Sequence, residues 1–232
     1  MGTSQKSNRP NVVYVFGDQW RAQATGYAGD PNVQTPHLDQ LASQSLNLVN
    51  AVAGQPVCSP SRACLLTGQH ALTHGVFVND VPLRDRAVSL AQAFDAGGYD
   101  TAYIGKWHVG GRGRSNYIRP EHRLGFDYWK VLECTHAYNR SIYYAGDDEE
   151  VRQWEGYDAI AQTRDAQRYI RNHEGADPFF LVLSCASLIL SRINIKSPSE
   201  TLSPTFVFKV FILPSKFDGI STLDLSLSIV IK

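Results

Sequence analysis

Residues 58–68 read CSPSRACLLTG, and this segment decides how the rest of the chain is interpreted. An apolar, helix-compatible run follows Arg62, and Gly68 is a typical residue for a helix end. The pattern predicts a helix that begins close to Cys58, where free backbone N–H groups and the helix dipole favour an anion. Arg62, one turn further, can turn its guanidinium toward the same point. A buried structural cysteine before an ordinary helix would give the same short pattern, so other segments must decide.

Three apolar segments predict buried strands. Residues 11–16 (NVVYVF), 100–104 (DTAYI) and 179–184 (FFLVLS) are short runs of the kind that fill a parallel sheet. Helical patterns between them, including residues 89–96 and 158–173, are long enough to serve as crossovers. The chain therefore predicts an α/β fold.

Two finer predictions concern local structure. Residues 46–52 are apolar and predict a short strand that leads into the 58–68 segment. The helix at residues 158–173 is amphipathic. Its predicted inner face consists of Ile160, Ala161, Ala166, Tyr169 and Ile170.

Polar side chains follow two of the predicted strands. Asp18 and Gln19 come directly after the first strand, at the carboxyl end where open α/β sheets hold their ligands. Lys106 and His108 come after the second strand, and they would point the same way if that strand continued. A turn or capping role for Asp18 and a solvated basic strand edge are the alternatives that the residues leave open.

The segments CSPSRACLLTG and GKWH (residues 105–108) together resemble the two signatures of the type I sulfatases. The resemblance extends from about residue 10 to about residue 184. It implies that Cys58 is oxidised after translation to formylglycine, whose hydrated aldehyde is the nucleophile. It also implies that Arg62 and Lys106 stabilise the sulfate group, that Lys106 binds its oxygens, and that His108 handles a proton of the nucleophile.

The same resemblance implies a calcium cofactor and a set of ligands. Asp18, Gln19 and the converted Cys58 would hold the cation, because hard oxygen donors suit it. Asn79 stands where some relatives place a substrate-binding residue, and a loop-turn role is the alternative. The implied partners are a sulfate ester of a small molecule or carbohydrate and a formylglycine-generating enzyme.

The implied fold is an alkaline-phosphatase-like three-layer sandwich with a largely parallel central sheet, in which the strands at 11–17, 100–105 and 179–184 are adjacent. We expect a disordered N-terminus at residues 1–10 and a partial sulfatase catalytic domain at residues 11–186. Residues 187–232 would be an atypical tail of uncertain structure.

Composition marks this tail as different. Residues 187–232 contain no Ala, His, Trp, Tyr, Gln or Cys, whereas residues 1–186 contain twenty alanines and all seven histidines. We expect a truncated family member that lacks the later calcium ligands and the histidine that protonates the leaving group. Such a chain would hydrolyse aryl sulfates poorly. A genuine tail domain is the competing explanation.

Net charge, cysteine spacing and the N-terminal sequence give expectations about partners, thiol state and localisation. The net charge is zero, which favours neither a nucleic-acid nor a membrane partner. The four cysteines have no metal-ligand spacing, so we expect reduced thiols. The N-terminus has no apolar signal region, and we therefore expect a cytoplasmic protein.

The resemblance leaves two alternatives to a sulfatase. One is a phosphonate monoester or phosphodiester hydrolase of the same superfamily, although those enzymes lack the Lys106–His108 pair. The other is a catalytically inactive sulfatase fragment.

Overall fold

The central feature is a mixed sheet of seven strands in the part of the chain that the structure describes. This computed structural model describes residues 9–84, 88–175 and 177–186, and residues 208–213 by their backbone alone. The strands are β1 (Asn11–Gly17), β2 (Asp100–Lys106), β3 (Tyr128–Leu132), β4 (Ile142–Ala145), β5 (Arg152–Gln153), β6 (Phe179–Cys185) and β7 (Phe208–Leu213). Their order in the sheet is β5-β4-β3-β2-β6-β1-β7.

The middle of the sheet is parallel. Strand β6 pairs in parallel with β1 on one side and with β2 on the other, and β2 pairs in parallel with β3. The outer strands β4, β5 and β7 pair antiparallel. The three strands predicted to be adjacent are therefore confirmed as neighbours, with β6 inserted between the two that precede it in sequence.

Helices cover both faces of this sheet. They are α1 (Pro36–Ser43), α2 (Cys58–Thr67), α3 (Ala71–His74), α4 (Leu90–Ala96) and α5 (Asp158–Asn172). Alternate residues of β1 face opposite ways, so that Tyr14 and Phe16 pack with α2 and α4, while Val13 packs with α5. Two apolar cores result, one on each face, and the predicted three-layer α/β sandwich is confirmed.

Local sequence signals account for the helix ends. Ser89 caps α4 by accepting a hydrogen bond from the Gln92 backbone N–H, and the Gln92 side chain bonds back to the Ser89 N–H. This reciprocal pair satisfies two donors that a helix start leaves free. Helix α2 ends at Gly68, whose φ of 65° is the left-handed conformation that glycine adopts without cost.

The strand predicted at residues 46–52 is wrong. The inner face predicted for α5 is wrong at Ile160 alone, since Ala161, Tyr169 and Ile170 pack against the core. Residues 46–52 form no strand, and Leu46 and Val52 are 84% and 89% exposed. β-Propensity reflects packing against neighbouring strands, and these exposed side chains have no such packing. Ile160, assigned to the inner face of α5, is half exposed, whereas Ala166 is buried as predicted.

Membrane-spanning helices are absent from the described residues: none of their helices is both long and apolar enough to cross a bilayer. All four cysteines are free thiols, as expected. The expected domain limits at residues 1–10 and 187–232 fall largely outside the described residues and stay predictions.

Candidate active site

Helix α2 begins at Cys58, as its sequence predicts. The preceding Val57 is extended, and the backbone N–H of Ser59 donates to Oδ1 of Asn79 at 2.9 Å. The amide of Asn79 thus supplies an acceptor for one of the free N–H groups at the helix start. The first turn of α2 is thereby fixed at the carboxyl ends of β1 and β2.

Asp18 is the centre of the site. Its carboxylate is 5% exposed and accepts a hydrogen bond from Lys106 Nζ at 2.7 Å. The Cys58 thiol lies 3.3 Å from the same oxygen, and Nη2 of Arg62 lies 3.4 Å from the other. Lys106 Nζ is also 3.6 Å from the Cys58 sulfur. Four residues that the sequence predicts to share a site are therefore in direct contact.

Arg62 is fixed by contacts with two strand ends. Its Nη1 donates to the Lys106 carbonyl at 2.6 Å and to the Ser184 hydroxyl at 2.7 Å. The guanidinium carbon lies 5.0 Å from the centre of the Phe16 ring, and the Tyr103 hydroxyl donates to the Lys106 carbonyl at 2.7 Å. A buried cation in a rigid network of this kind is preorganised to face an anion.

Charge and burial set the protonation states of Asp18 and Cys58. Burial disfavours the Asp18 carboxylate, but the adjacent Arg62 and Lys106 cations outweigh it and hold its pKa below the usual value. Burial, and then the Asp18 charge, raise the pKa of the Cys58 thiol. The thiol is therefore protonated at neutral pH and donates its hydrogen to Asp18.

The GKWH segment leaves the sheet abruptly. Gly105 has a φ of 107°, and a Cβ there would lie 2.1 Å from the Ser184 carbonyl oxygen, so only glycine fits beside β6. Strand β2 ends at Lys106, and His108 adopts a φ of 58°. The strand does not continue from Lys106 to His108, so the alternation of side chains along a strand does not relate these two residues.

His108 is nonetheless buried in the same region. Its side chain is 2% exposed, and Nε2 lies 3.0 Å from Oδ1 of Asp80. Arg114 donates to both oxygens of Asp80, at 3.1 Å through Nε and at 2.7 Å through Nη2. Asp80 was not predicted as a site residue, because its sole local signal is an Asn-Asp pair typical of turns.

Ser184 was also missed as a site residue. It is buried at the carboxyl end of β6, pairs with Gly105 in the sheet register, and contacts Arg62. A small polar residue that ends an apolar strand is the signal that points to it.

These contacts show which predicted site residues lie together, but they do not test the role predicted for each. Gln19 is exposed next to Asp18 and has a φ of 59°. Asn79 contacts the α2 start as described above. Among the described residues no group of three or more His, Cys, Asp or Glu side chains is placed to hold a metal ion. The metal roles of Asp18, Gln19 and Cys58 and the substrate roles of Asn79 and Lys106 stay predictions. The catalytic roles of Cys58, Arg62, Lys106 and His108 stay predictions as well.

Comparison with known proteins gives one consistent result. The sequence profile of the family named Sulfatase matches residues 10–187. The ulvan-active sulfatase of Formosa agariphila is 51% identical over 180 residues, which cover 77% of this chain and 35% of that protein. The chain thus spans about a third of the length of this curated relative.

Solved structures agree with the sequence match. The candidate sulfatase yidJ of Bacteroides fragilis superimposes with a TM-score of 0.71 at 29% identity, over 80% of this chain and 45% of that one. A phosphonate monoester hydrolase of Agrobacterium radiobacter superimposes with a TM-score of 0.58 at 23% identity, over 77% and 41%. The second likeness shows a shared fold alone, and the predicted alkaline-phosphatase-like architecture is confirmed. Since the profile covers most of the chain, the protein belongs to the sulfatase family.

Proposed function

We propose that the site formed by Asp18, Cys58, Arg62 and Lys106 serves the hydrolysis of sulfate esters. The observation that carries this proposal is the position of Cys58 between a buried carboxylate and two fixed cations. A sulfate group that enters such a site meets positive charge on Arg62 and Lys106, and charge that builds on its oxygens is stabilised there.

Cys58 is the position of the nucleophile, but its thiol is a poor one. Burial and the Asp18 charge keep it protonated, and the thiolate is the reactive form of cysteine. Conversion to formylglycine by a formylglycine-generating enzyme would replace the thiol by a hydrated aldehyde, whose hydroxyls supply attack on sulfur and release of sulfate. Asp18 and Lys106 would then contact a hydroxyl where they now contact sulfur.

The oxygen donors of this site are of the type that calcium binds, but they are fewer than the six to eight that it takes. Asp18, Gln19 and the converted Cys58 would offer oxygen ligands, and calcium takes six to eight of them. When bound, the ion would supply Lewis-acid polarisation of the sulfate oxygens. No group of three or more His, Cys, Asp or Glu side chains in the described part of the chain completes this set. Arg62 and Lys106 hold the anion in either case.

The substrate class follows from the relatives. The similar protein from Formosa agariphila is named for its action on ulvan, and we propose a sulfated carbohydrate as the substrate here. The phosphonate monoester hydrolase remains a second candidate because it shares the fold. The Lys106–His108 pair favours the sulfatase, because the resemblance implies that the phosphonate hydrolases lack it.

The test is co-expression of the chain with a formylglycine-generating enzyme. Peptide mass spectrometry reads the state of residue 58, and release of 4-nitrophenol from its sulfate ester and from a phenylphosphonate ester is followed with calcium present. We expect conversion of Cys58 and slow hydrolysis that prefers the sulfate ester. Cys58→Ala should abolish it.

Two results would contradict the proposal. One is a cysteine that stays unmodified although a control sulfatase peptide is converted in the same cells. The other is a phosphonate rate above the sulfate rate, which would favour the second candidate.

A further inference from the structure

Asp80 connects the surface of the protein to a buried histidine. Its side chain is 47% exposed and is held by Arg114, whereas the side chain of His108 is 2% exposed. Arg114 belongs to the glycine- and arginine-rich segment 110–120, so Asp80 links this segment to the site. The contact with Asp80 and the burial of His108 together determine which ring nitrogen of His108 carries a proton.

The first consequence concerns which atom carries a proton. Hydrogen bonds from Arg114 and His108 lower the pKa of Asp80 to about 2, so that Asp80 is a carboxylate at neutral pH. A carboxylate only accepts hydrogen bonds. Nε2 of His108, at 3.0 Å from Oδ1, must therefore be the protonated nitrogen.

The second consequence concerns the other ring nitrogen. Burial, and then the neighbouring Lys106 charge, lower the pKa of His108 to about 4, so the ring is neutral at pH 7. A neutral imidazole has a single N–H group, which leaves a lone pair on Nδ1. Nδ1 is buried and has no hydrogen-bond partner among the described residues. A buried acceptor without a partner is costly, and such cost is typical of functional sites.

The backbone supports the same interpretation. His108 has a φ of 58°, a conformation that few non-glycine residues adopt, and Asp80 has a φ of 64°. Two residues in contact both hold strained conformations, and strain of this kind persists where the surroundings enforce it.

We propose that Asp80 is a positioning residue that keeps the proton of His108 on Nε2 and leaves the buried Nδ1 as the proton acceptor of the site. This inference rests on the proposed function. A proton that His108 takes from a hydroxyl goes to Nδ1: the O–H bond breaks, its electron pair stays on oxygen, and an N–H bond forms. The positive ring that results remains hydrogen-bonded to Asp80, whose charge offsets it.

The alternative is that Asp80 only anchors the 110–120 segment through Arg114. Both roles would make Asp80 useful for stability, so a stability measurement does not separate them. The tautomer of His108 does, because an anchor of the loop has no effect on which ring nitrogen carries the proton.

The experiment is two-bond ¹H–¹⁵N NMR of the full chain labelled with ¹⁵N-histidine, at pH 7.5. His108→Gln assigns the signals of His108 among the seven histidines. We expect Nδ1 of His108 in the unprotonated range and Nε2 in the protonated range. In Asp80→Ala both signals should move toward the averaged position of two exchanging tautomers.

A matched control is available. Asp148 pairs with Arg152 at 2.6 Å and is 48% exposed, close to the exposure of Asp80. Asp148→Ala should leave the His108 signals unchanged. If Asp80→Ala does not fold, Asp80→Glu keeps the charge and moves the oxygens by one methylene. In that variant the His108 Nε2 proton signal should shift.

Two results would overturn the inference: a wild-type His108 with its proton on Nδ1, or a folded Asp80 variant with unchanged His108 signals. Neither depends on turnover. A wrong tautomer would leave Cys58-dependent hydrolysis standing, and absence of hydrolysis would leave the tautomer assignment standing.

Discussion

The ammonium of Lys106 lies 2.7 Å from the carboxylate of Asp18 and joins the ends of two strands that are not neighbours. Strand β6 lies between β1 and β2, so the Lys106–Asp18 ion pair spans the end of this third strand. Both side chains are buried, and Arg62 adds a second cation to the same carboxylate. Two cations offset the desolvation of one buried carboxylate, and the loss of either leaves charge poorly compensated.

Replacement of Lys106 by methionine should therefore destabilise the fold. Breaking a buried pair by removal of one partner typically costs about 3–5 kcal/mol. Arg62 still contacts Asp18 at 3.4 Å, so we expect the lower end of this range. Urea unfolding followed by circular dichroism measures it. Arg152→Met, which breaks a more exposed pair with Asp148, should cost less than about 1 kcal/mol. Equal losses in the two variants would contradict this account of the Lys106–Asp18 pair.

Asp18→Asn should make the Cys58 thiol more reactive. The carboxylate raises the thiol pKa by its charge and by its hydrogen bond, whereas Lys106 and Arg62 lower it. Burial, the largest cause of the raised pKa, remains in the variant, but no carboxylate then opposes the two cations, so the thiol pKa falls and the thiolate fraction at pH 7.5 rises.

Alkylation by iodoacetamide, read by peptide mass spectrometry, checks this prediction. Because the thiolate is the reactive form, the Cys58 rate at pH 7.5 should rise as the thiol pKa falls. Cys64, which has no contact with Asp18 among the bonds described, is the internal control. A Cys58 rate that falls in Asp18→Asn would show that the cations do not govern the thiol.

His108 should make the protein less stable as the pH falls. Its pKa is 6.5 ordinarily and about 4 in the folded state. Between these values the unfolded chain binds a proton that the folded chain does not, so stability is complete above pH 6.5 and declines toward pH 4. Glu133 and Asp158, with pKa values raised to about 6, act in the opposite sense as the pH falls below 6.

Comparison with a variant isolates the contribution of His108. Urea midpoints are measured at pH 7.5 and pH 4.5 for the wild type and for His108→Gln. Since Glu133 and Asp158 are present in both, the wild type should lose more stability between the two pH values than the variant does. Equal losses would show that His108 titrates normally.

Gly105→Ala should be far more damaging than an alanine at another glycine with positive φ. A Cβ at residue 105 would meet the Ser184 carbonyl at 2.1 Å, whereas a Cβ at Gly29 (φ 86°) would meet no atom within 4 Å. Gly29→Ala should cost about 1 kcal/mol for its backbone conformation. Gly105→Ala should cost more than about 3 kcal/mol, because β2 and β6 must separate. Urea unfolding of both variants decides, and similar losses would contradict the close approach of the two strands.

Much of this architecture could be predicted from local sequence. Strands β1, β2 and β6 are apolar runs, and the cap of α4 is visible at Ser89. The strand predicted at residues 46–52 does not form, because strand formation depends on packing against neighbouring strands, which no local pattern reveals.

Some residues of the site could likewise be predicted from local sequence, and others could not. Cys58, Arg62 and Lys106 lie in segments whose spacing is distinctive. Asp80 acts through contacts with residues 28 and 34 positions away, so its importance appears only once the chain is folded. Ser184 likewise contacts Arg62 from 122 positions away.

The place of β6 between β1 and β2 has a consequence for how the protein is made. The chain delivers β1 first and β2 second, yet these two strands cannot be joined until β6 has left the ribosome. At roughly 5–20 residues per second, adding the 122 residues between Arg62 and Ser184 takes on the order of 6–24 s. Throughout that interval Arg62 lacks its contact with Ser184 on β6, and the segment around Cys58 is not yet packed against that strand. A modifying enzyme that acts on the nascent chain would have this interval in which to reach Cys58.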